Sequence, residues 1–376
     1  MVATPARFGA GGQWAERAAR PLRLTAGPGA RPTPDEIDAM RAALLQRDEP
    51  GAALARALLT DRTVTQAQVR AALADPGAPA PKPMDEFLDT VRVRPSWVDD
   101  ALLDRGAEVC RTFGVDATLV LTYGSLLGGY RTAAALEPLV RTGRLTGDET
   151  ARRIAETTGW WRAVTAPGGL RPGAEGHRLT LHVRVMHAMV NHRLEADPSW
   201  DHAGRGVPIN QYDQASTLGV FSTSFLLHLR LLGVRVSRAD GAAVMHLWSY
   251  VGALMGVADR WLPHTERSGR RLLYQLLAHD PPPDANSTAL ARALIDSGVP
   301  ERRERALSIA TWLLGPAALR DLGLPPRPPW HALSRVAANL PATHVSGRLP
   351  GGRRRLLARA ERQLRHYQAA DPRDLA

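Results

Sequence analysis

The stretch from His177 to Leu194, HRLTLHVRVMHAMVNHRL, constrains the fold most, because its apolar residues recur at the spacing of an α-helix. At about 100° per residue, four side chains of this stretch share one apolar face of the helix. They are Val183, Met186, Val190 and Leu194. His187 lies at the border of this face, with Arg184 and Asn191 beside it. The helix therefore presents one imidazole between an apolar wall and polar neighbours.

The two histidines on either side of His187 cannot join it at one metal ion. His182 and His192 each lie five residues away, which rotates them by roughly 140° around the helix axis. A lone imidazole beside an apolar face is typical of a satisfied histidine at the edge of a core, and also of an axial ligand to a flat apolar cofactor. The sequence of this helix alone leaves both interpretations open.

The composition of the whole chain predicts an all-α fold. Leucine and alanine dominate the 376 residues, aromatic residues make up only 5%, and runs of β-branched residues are short. These are the preferences of helices rather than of strands. A helix is predicted to open at Thr33–Glu36, since proline and acidic residues suit a first turn. Four further long helices are predicted at Trp97–Phe113, Asp148–Trp160, Gln214–Leu232 and Arg238–Ala258.

Shifts in composition divide the chain into four regions. Residues 1–33 are rich in glycine, alanine, proline and arginine, so we expect them to be disordered or loosely docked. Residues 34–83 are predicted to form a helical extension that ends in a proline-rich linker, DPGAPAPKP. We expect the main body at residues 84–265 and a helical region packed on it at residues 266–376. The predicted architecture is a single large helical domain with an extension at each end.

The basic charge of the chain does not indicate a nucleic-acid partner. The formal net charge is +11 and the isoelectric point is near 10.8. Such values ordinarily suggest a polyanion partner. Lys82, however, is the only lysine among 48 basic residues, and the arginines are spread along the chain rather than gathered in a patch. We therefore expect no nucleic-acid binding.

The single cysteine and the apolar segments limit the chemistry and the location. Cys110 excludes an intramolecular disulfide and a cysteine-rich zinc site, and its helix predicts that it is buried and inert. The N-terminus has no apolar core of signal-peptide length. The segments Thr217–Leu227 and Ala242–Ala258 fall short of the roughly 20 apolar residues of a membrane span. We therefore expect a cytoplasmic protein without a transmembrane segment.

Most standard catalytic motifs are absent from the sequence. It contains no GxSxG elbow, no HExxH zinc helix, no EF-hand loop and no phosphate-binding loop. The paired Glu-x-x-His motifs of a di-iron bundle and the cysteines of an iron–sulfur cluster are also missing. A noncovalent haem with one axial histidine remains compatible. Such a haem needs an imidazole, an apolar slot, cations for its propionates and a few polar groups on the distal face.

Six motifs occur in an order and at spacings that resemble the DUF2236 family, which holds the catalytic domains of rubber oxygenases (latex clearing proteins) and MpaB-type oxygenases. The resemblance covers roughly residues 85–265 and, more weakly, the C-terminal third. The motifs are TGRL (Thr142–Leu145), RRIAETTGWW (Arg152–Trp161), the GGLxPG turn (Gly168–Gly173), VRVMHAMVNHRL (Val183–Leu194), GVPINQYDQASTLGVFS (Gly206–Ser222) and HLWSYVGALMGVADRWLP (His246–Pro263). This resemblance implies a globin-like core that binds haem b and uses dioxygen to cleave or oxidise an isoprenoid chain.

The resemblance also implies roles for particular residues. The VRxMHA match makes His187 the proximal iron ligand, and the R-x-x-x-T match places Arg153 and Thr157 on the distal side. Rubber oxygenases have a lysine just before that threonine, whereas this chain has Glu156, which puts rubber cleavage itself in doubt. Glu137 falls where those enzymes have a glutamate proposed as a base. Either glutamate, beside an apolar haem face, would be able to accept an allylic proton.

The cations for the haem propionates differ from the family pattern. Many relatives have an arginine one turn after the axial histidine, but this chain has Asn191 there. Arg184 is therefore expected to help neutralise the propionates, with Arg193 as the alternative.

Arg153 and Glu156 lie on one face of their helix. The alternative to a distal role is that the two side chains form an ordinary solvated ion pair.

The function predicted from the sequence is a haem b-dependent oxygenase that acts with dioxygen on an apolar, isoprenoid-like small molecule. Two alternatives remain open. One is a haem-binding sensor or carrier without turnover, which would need the same ligands around the iron. The other is a helical interaction protein that uses its basic C-terminal segment, GGRRRLLARAERQLRHYQ.

Overall fold

The helix that carries His187 contacts helices from both the N-terminal and the central parts of the chain. The computed structural model describes residues 4–75, 79–141, 147–297 and 302–369. Helices account for 72% of the chain, and the described residues contain no strand. The all-α prediction is therefore confirmed.

The first half of the chain forms α1 to α11. These helices are α1 (Gly12–Ala26), α2 (Pro34–Ala43), α3 (Glu49–Leu59), α4 (Gln66–Ala74), α5 (Lys82–Arg92), α6 (Asp100–Thr112), α7 (Val115–Leu119), α8 (Leu127–Gly129), α9 (Ala133–Arg141), α10 (Gly147–Val164) and α11 (Glu175–Glu195). A π-helical segment, Val120–Leu126, joins α7 to α8.

The second half forms α12 to α21. These helices are α12 (His202–Arg205), α13 (Gln211–Gly219), α14 (Phe225–Leu231), α15 (Arg238–Leu254), α16 (Glu266–Leu277), α17 (Ala285–Asp296), α18 (Arg303–Leu314), α19 (Pro316–Asp321), α20 (Trp330–Asn339) and α21 (Gly352–Ala369). A second π-helical segment, Val220–Ser224, joins α13 to α14, and a third, Leu340–Val345, follows α20.

Local sequence explains where several helices begin. Thr33 caps α2: its hydroxyl accepts a hydrogen bond from the Glu36 backbone N–H, and the Glu36 carboxylate accepts one from the Thr33 backbone N–H. Pro34 follows at the first helical position, where its missing N–H costs nothing. The predicted start of this helix at Thr33–Glu36 is thus confirmed.

The main apolar core lies around α15, which packs against α6 and α11. Helix α15 is apolar on nearly all of its faces and is buried at most positions, as expected for a helix at the centre of a protein. Gly106 of α6 permits the close approach, because a Cβ there would lie 2.5 Å from the Ala243 carbonyl oxygen. Cys110 belongs to the same core, and burial raises the pKa of its thiol to about 12, in agreement with an inert side chain.

The N-terminal residues differ from the prediction, because the part of 1–33 that the structure describes is ordered and docked. Arg7 is buried and its Nη1 donates to Asp213 Oδ2 over 2.9 Å. Phe8 stacks on the ring of His279 at 4.8 Å between centroids. Helix α1 then packs along α16. These contacts are made by one charged and one aromatic residue in a segment that is poor in large apolar side chains. The composition of the segment alone therefore predicted less order than the structure shows.

Two predicted features fall partly outside the described residues. Residues 76–78 of the proline-rich linker and the TGRL motif, Thr142–Leu145, are not described. The linker is followed closely by α5, which starts at Lys82. Helix α10, predicted to begin at Asp148, begins at Gly147.

The C-terminal basic helix is docked rather than free. α21 packs against α6 and α7, and Gly114 lies directly under it, because a Cβ at that glycine would be 2.8 Å from Ala360 Cα. Arg353 of α21 donates to Glu108 and to Asp240 over 2.7 Å each. The helix is therefore part of the body of the protein. In the part of the chain that the structure describes, no helix combines the length and apolar character needed to span a bilayer.

Candidate active site

A large, mostly apolar cavity of about 1680 Å³ lies between the helices of the core. Helices α10 and α11 line it, together with the first two π-helical segments and parts of α1, α14, α15, α16 and α21. Typical ligand sites occupy roughly 300–1,000 Å³. This cavity therefore has room for a cofactor and a second molecule at once.

His187 lies on the wall of this cavity. Burial lowers the pKa of the imidazole to about 4, and the negative charge of Asp48 opposes that shift only in part. Nδ1 is buried away from the cavity and has no hydrogen-bond partner among the described residues. Nε2 is therefore the ring nitrogen that is left to bind a ligand in the cavity. The ring is therefore neutral near pH 7, which is the form that coordinates a metal ion.

The neighbouring histidines of α11 lie elsewhere, as their helical spacing predicts. His182 is exposed and does not line the cavity. His192 forms a hydrogen bond with the Thr60 hydroxyl over 2.8 Å. Among the described residues, no group of three histidine, cysteine or acidic side chains could hold a metal ion.

The structure brings Arg153 and Thr157 into the same cavity wall from α10. The Arg153 Nη2 donates to the Tyr130 hydroxyl over 2.6 Å, which fixes the guanidinium group. Its Nη1 is buried without a partner among the described residues. Arg153 thus has one buried, unused donor group and lines the cavity, and Thr157 lies one turn further along the helix.

Glu156 also borders the cavity, but its side chain is 49% exposed to solvent. Its Oε1 lies 3.1 Å from Arg152 Nε. The predicted solvated ion pair between Arg153 and Glu156 is therefore wrong. The Glu156 carboxylate pairs with Arg152 instead. An i,i+4 spacing on the outer side of α10 brings Arg152 to Glu156, whereas Arg153 turns towards Tyr130.

Glu137 is not part of the cavity wall, which corrects its expected place beside the cofactor. Its buried carboxylate lies between two guanidinium groups, with Oε1 at 2.8 Å from Arg141 Nε and Oε2 at 3.3 Å from Arg205 Nη2. Both oxygens are occupied by these ion pairs. Glu137 therefore holds a structural ion-pair position, and its role as a base stays a prediction.

Arg184 is likewise absent from the cavity wall, which corrects its expected contact with haem propionates. Its Nε and Nη2 donate to the two carboxylate oxygens of Asp48 over 2.7 and 2.8 Å, and its Nη1 donates to Thr90 over 3.1 Å. The guanidinium group also stacks over the Phe87 ring, 4.7 Å from its centroid. Every donor group of Arg184 is thus engaged. Arg193, the alternative, is exposed and does line the cavity.

His228 is a second histidine on the cavity wall, and it was not among the residues predicted from the sequence. Burial lowers the pKa of its ring to about 4. Its Nδ1 lies 3.1 Å from the Ser224 hydroxyl, and the ring also hydrogen-bonds to the Leu313 backbone. The only signal in the sequence was a histidine within an apolar run, which alone does not distinguish a cavity from a core.

An aromatic cluster at the cavity was also missed. Trp248 stacks with Phe221 at 5.2 Å, and Trp160 contacts both rings edge-on or at a tilt. The indole Nε1 atoms of Trp248 and of Trp161 are buried without partners among the described residues. Both tryptophans line the cavity, but these two nitrogen atoms are not exposed to it.

Comparisons with known proteins agree with this arrangement. The family described as "ER-bound oxygenase mpaB/B'/Rubber oxygenase, catalytic domain" matches residues 111–347. The rubber oxygenase of Streptomyces sp. (strain K30) is 28% identical over 322 residues, which are 84% of this chain and 76% of that protein. A structure of the latex clearing protein LCP in the closed state matches with a TM-score of 0.66 and 23% identity. It covers 86% of this chain and 91% of LCP, and shows a shared fold.

The family match begins after the N-terminal helices and includes both π-helical segments of the cavity, the Arg153 helix and the His187 helix. It spans more than half of the chain, from Arg111 to Gly347. The chain therefore belongs to the MpaB and rubber oxygenase catalytic-domain family and is an oxidoreductase.

Proposed function

We propose that this chain is a haem b-dependent oxygenase that acts with dioxygen on an apolar, isoprenoid-like small molecule. The observation that carries the proposal is that the neutral imidazole of His187 and the side chain of Arg153 line one mostly apolar cavity. His187 is the proposed axial ligand through Nε2. A haem bound there would supply the iron that activates dioxygen.

The residues that line the cavity fit such a cofactor. His187 offers a neutral imidazole, Arg153 and Arg193 are cations on the same wall, and the rest of the lining is mostly apolar. A haem needs these elements: one axial nitrogen, an apolar slot and cations for its carboxylates.

The propionates need a cation, and Arg193 is the residue that we assign to them. It follows His187 by six residues on α11, lines the cavity and is exposed, with no ion pair to another described residue. Arg184 is excluded from this role by its bidentate pair with Asp48. A surface position for the propionate partner agrees with the polar edge that a bound haem presents to water.

Arg153 and Thr157 are the groups that we assign to the dioxygen side. The bond to Tyr130 holds the Arg153 guanidinium in place, so that a fixed positive charge lies at the cavity wall. A preorganised cationic donor stabilises negative charge that develops on oxygen. Glu156, at the solvent-facing edge of the same wall, is the proposed base, since its carboxylate can pass a proton on to water.

The rest of the wall defines the class of substrate. Val183, Met186 and Val190 of α11 line the cavity together with the aromatic residues Trp160 and Phe221, and most of the surface is apolar. Such a wall binds hydrocarbon by removing apolar surface from water and offers few groups that recognise polar substituents. A branched, unsaturated hydrocarbon chain such as an isoprenoid suits these properties.

Dioxygen uptake by the haem-loaded protein tests the proposal. With geraniol or farnesol present, we expect uptake in the wild type and a rate lower by roughly a hundredfold in Arg153→Met, the usual order for losing a preorganised donor. Arg178→Met removes an exposed arginine of α11 that does not line the cavity, so it should leave the rate unchanged. If the haem-loaded wild type consumes no dioxygen with any isoprenoid offered, the chain is a haem carrier or sensor and the proposal is wrong.

A further inference from the structure

Helix α1, which lies outside the matched catalytic domain, supplies part of the cavity wall. Ala18, Leu22 and Thr25 line the cavity, and their spacing places them on one side of the helix. Ala15 and Ala19 are fully buried, and Ala15 lies within about 20° of Leu22 around the helix axis. The same face of α1 therefore both anchors the helix and borders the cavity.

Apolar residues of α16 border the cavity next to α1. Leu273 and Leu277 of α16 line the cavity, and Leu22 and Leu277 pack against the same small apolar cluster. His187 lines the same continuous cavity from α11. A hydrocarbon chain bound in this cavity could thus contact both the His187 helix and α1.

Specific contacts hold α1 in this position. Upstream of the helix, Arg7 is bound to Asp213 in a buried ion pair. On the helix, Trp14 Nε1 donates to Asp321 Oδ2 over 3.2 Å, and Arg131 donates to the same oxygen over 2.9 Å. The Arg131 guanidinium also lies over the Trp14 ring, 5.4 Å from its centroid. These contacts make α1 a fixed wall of the cavity.

We infer that the α1 end of the cavity is the subsite for the remote end of an apolar chain, and that α1 sets the longest chain the enzyme accepts. The inference rests on the proposed function, because it concerns the substrate of the same cavity. A chain bounded at this end would be a small linear isoprenoid. A polymer would collide with the side chains of Ala18 and Leu22.

Binding of linear isoprenoid alcohols of increasing length tests the inference. Geraniol, farnesol and geranylgeraniol are titrated by calorimetry into the purified, haem-loaded protein. In Leu22→Trp the larger ring fills the α1 end. We expect the affinity for geranylgeraniol to fall roughly tenfold, as for the loss of about two buried methylene groups, while the affinity for geraniol stays unchanged.

Two further variants separate this effect from a misplaced helix. Ala18→Leu adds bulk one turn earlier on the same side of α1 and should repeat the result in a weaker form. Leu24→Trp makes the same change as Leu22→Trp on the same helix, but Leu24 is 78% exposed, so it should alter no affinity. A circular dichroism melt of each variant shows whether α1 and the body remain folded.

The outcomes distinguish this inference from the proposed function. A loss of affinity that grows with chain length in Leu22→Trp and in Ala18→Leu, but not in Leu24→Trp, supports the subsite. An equal loss for all three alcohols, or no loss in folded Leu22→Trp, overturns the subsite and leaves the proposed function intact. If the wild type binds none of the alcohols, the isoprenoid substrate and the subsite are both wrong.

Discussion

At the scale of single residues, His187 differs from the other histidines of α11 in its surroundings. The helical period predicted from the sequence that His182 and His192 turn away from it, and the structure places neither at the cavity. The unpartnered Nδ1 and the lowered pKa of His187 were not predictable, because both depend on side chains brought in by tertiary packing.

The two candidate glutamates are expected to respond in opposite ways to the same substitution. Glu137→Gln should destabilise the fold by about 1.5–3 kcal/mol, because it weakens charged hydrogen bonds to Arg141 and Arg205. Glu156→Gln should change stability by only about 0.5 kcal/mol, since its ion pair is solvated, yet it should slow turnover. Urea unfolding and dioxygen uptake measure the two effects. Loss of turnover in a fully stable Glu137→Gln would contradict these assignments.

The Asp48–Arg184 pair is expected to be a strong structural contact. Asp48→Asn leaves the Arg184 guanidinium buried without its counter-charge, which typically costs about 3–5 kcal/mol. Asp38→Asn breaks an exposed pair with Arg41 and should cost about 0–1 kcal/mol. Chemical denaturation of both variants provides the comparison, and equal midpoints would show that the buried pair contributes nothing.

Arg184 also shows that closeness to His187 in the sequence did not predict which side chains line the cavity. It lies three residues before His187, so the helix alone predicted that both side chains would face one ligand. Its actual partner, Asp48, is 136 residues away in the chain. No pattern within α11 contains that information.

At the scale of elements, the second π-helical segment replaces part of what the sequence predicted as one regular helix. The predicted helix Gln214–Leu232 is α13, then Val220–Ser224 in π geometry, then α14. Ser125 of the first π segment donates to the Val220 backbone oxygen of the second over 2.9 Å. Such segments often occur at functional sites, but an apolar period does not reveal them.

Gly124, in the first π segment, is expected to be essential to the position of His228. A Cβ at Gly124 would lie 2.7 Å from His228 Nδ1, so Gly124→Ala should displace the ring and lower stability by about 1–3 kcal/mol. At Gly129 the nearest contact would be an ordinary 3.6 Å, so Gly129→Ala should be tolerated. Thermal unfolding of the pair tests this, and equal melting temperatures would refute the close approach.

The docking of the N-terminal segment is expected to depend on pH through Asp280. Burial raises the pKa of its carboxyl to about 7, although the charge of Arg7 opposes the shift. The folded protein therefore keeps a proton that the unfolded chain releases near its ordinary pKa of 3.8. This contribution to stability is complete below that ordinary pKa and is lost as the pH rises through about 7.

Comparison with Asp280→Asn isolates this effect. Between about pH 5 and 6 the wild type should lose up to about 1.4 kcal/mol per pH unit relative to the variant, the value for one proton. Urea unfolding of both proteins across this range measures the difference. Parallel stability curves would mean that Asp280 does not hold the proton in the folded state.

At the scale of the whole molecule, the fold class was the most predictable property. Helical spacing and a leucine- and alanine-rich composition are local signals, and they sufficed for the all-α prediction. The cavity was not predictable in the same way, since α1, α10, α11 and α16 meet there from distant parts of the chain. The order of motifs identified the family, whereas the docking of α1 and α21 required the structure.

The most direct test of the central proposal is the absorption spectrum of the protein after haem loading, recorded for the wild type, His187→Ala and His182→Ala. The wild type and His182→Ala should show the same Soret band, which shifts on reduction and again with carbon monoxide. In His187→Ala that band should be lost or displaced, because the axial imidazole is gone. A wild type that takes up no haem, or a His187→Ala spectrum identical to that of the wild type, would contradict the proposal.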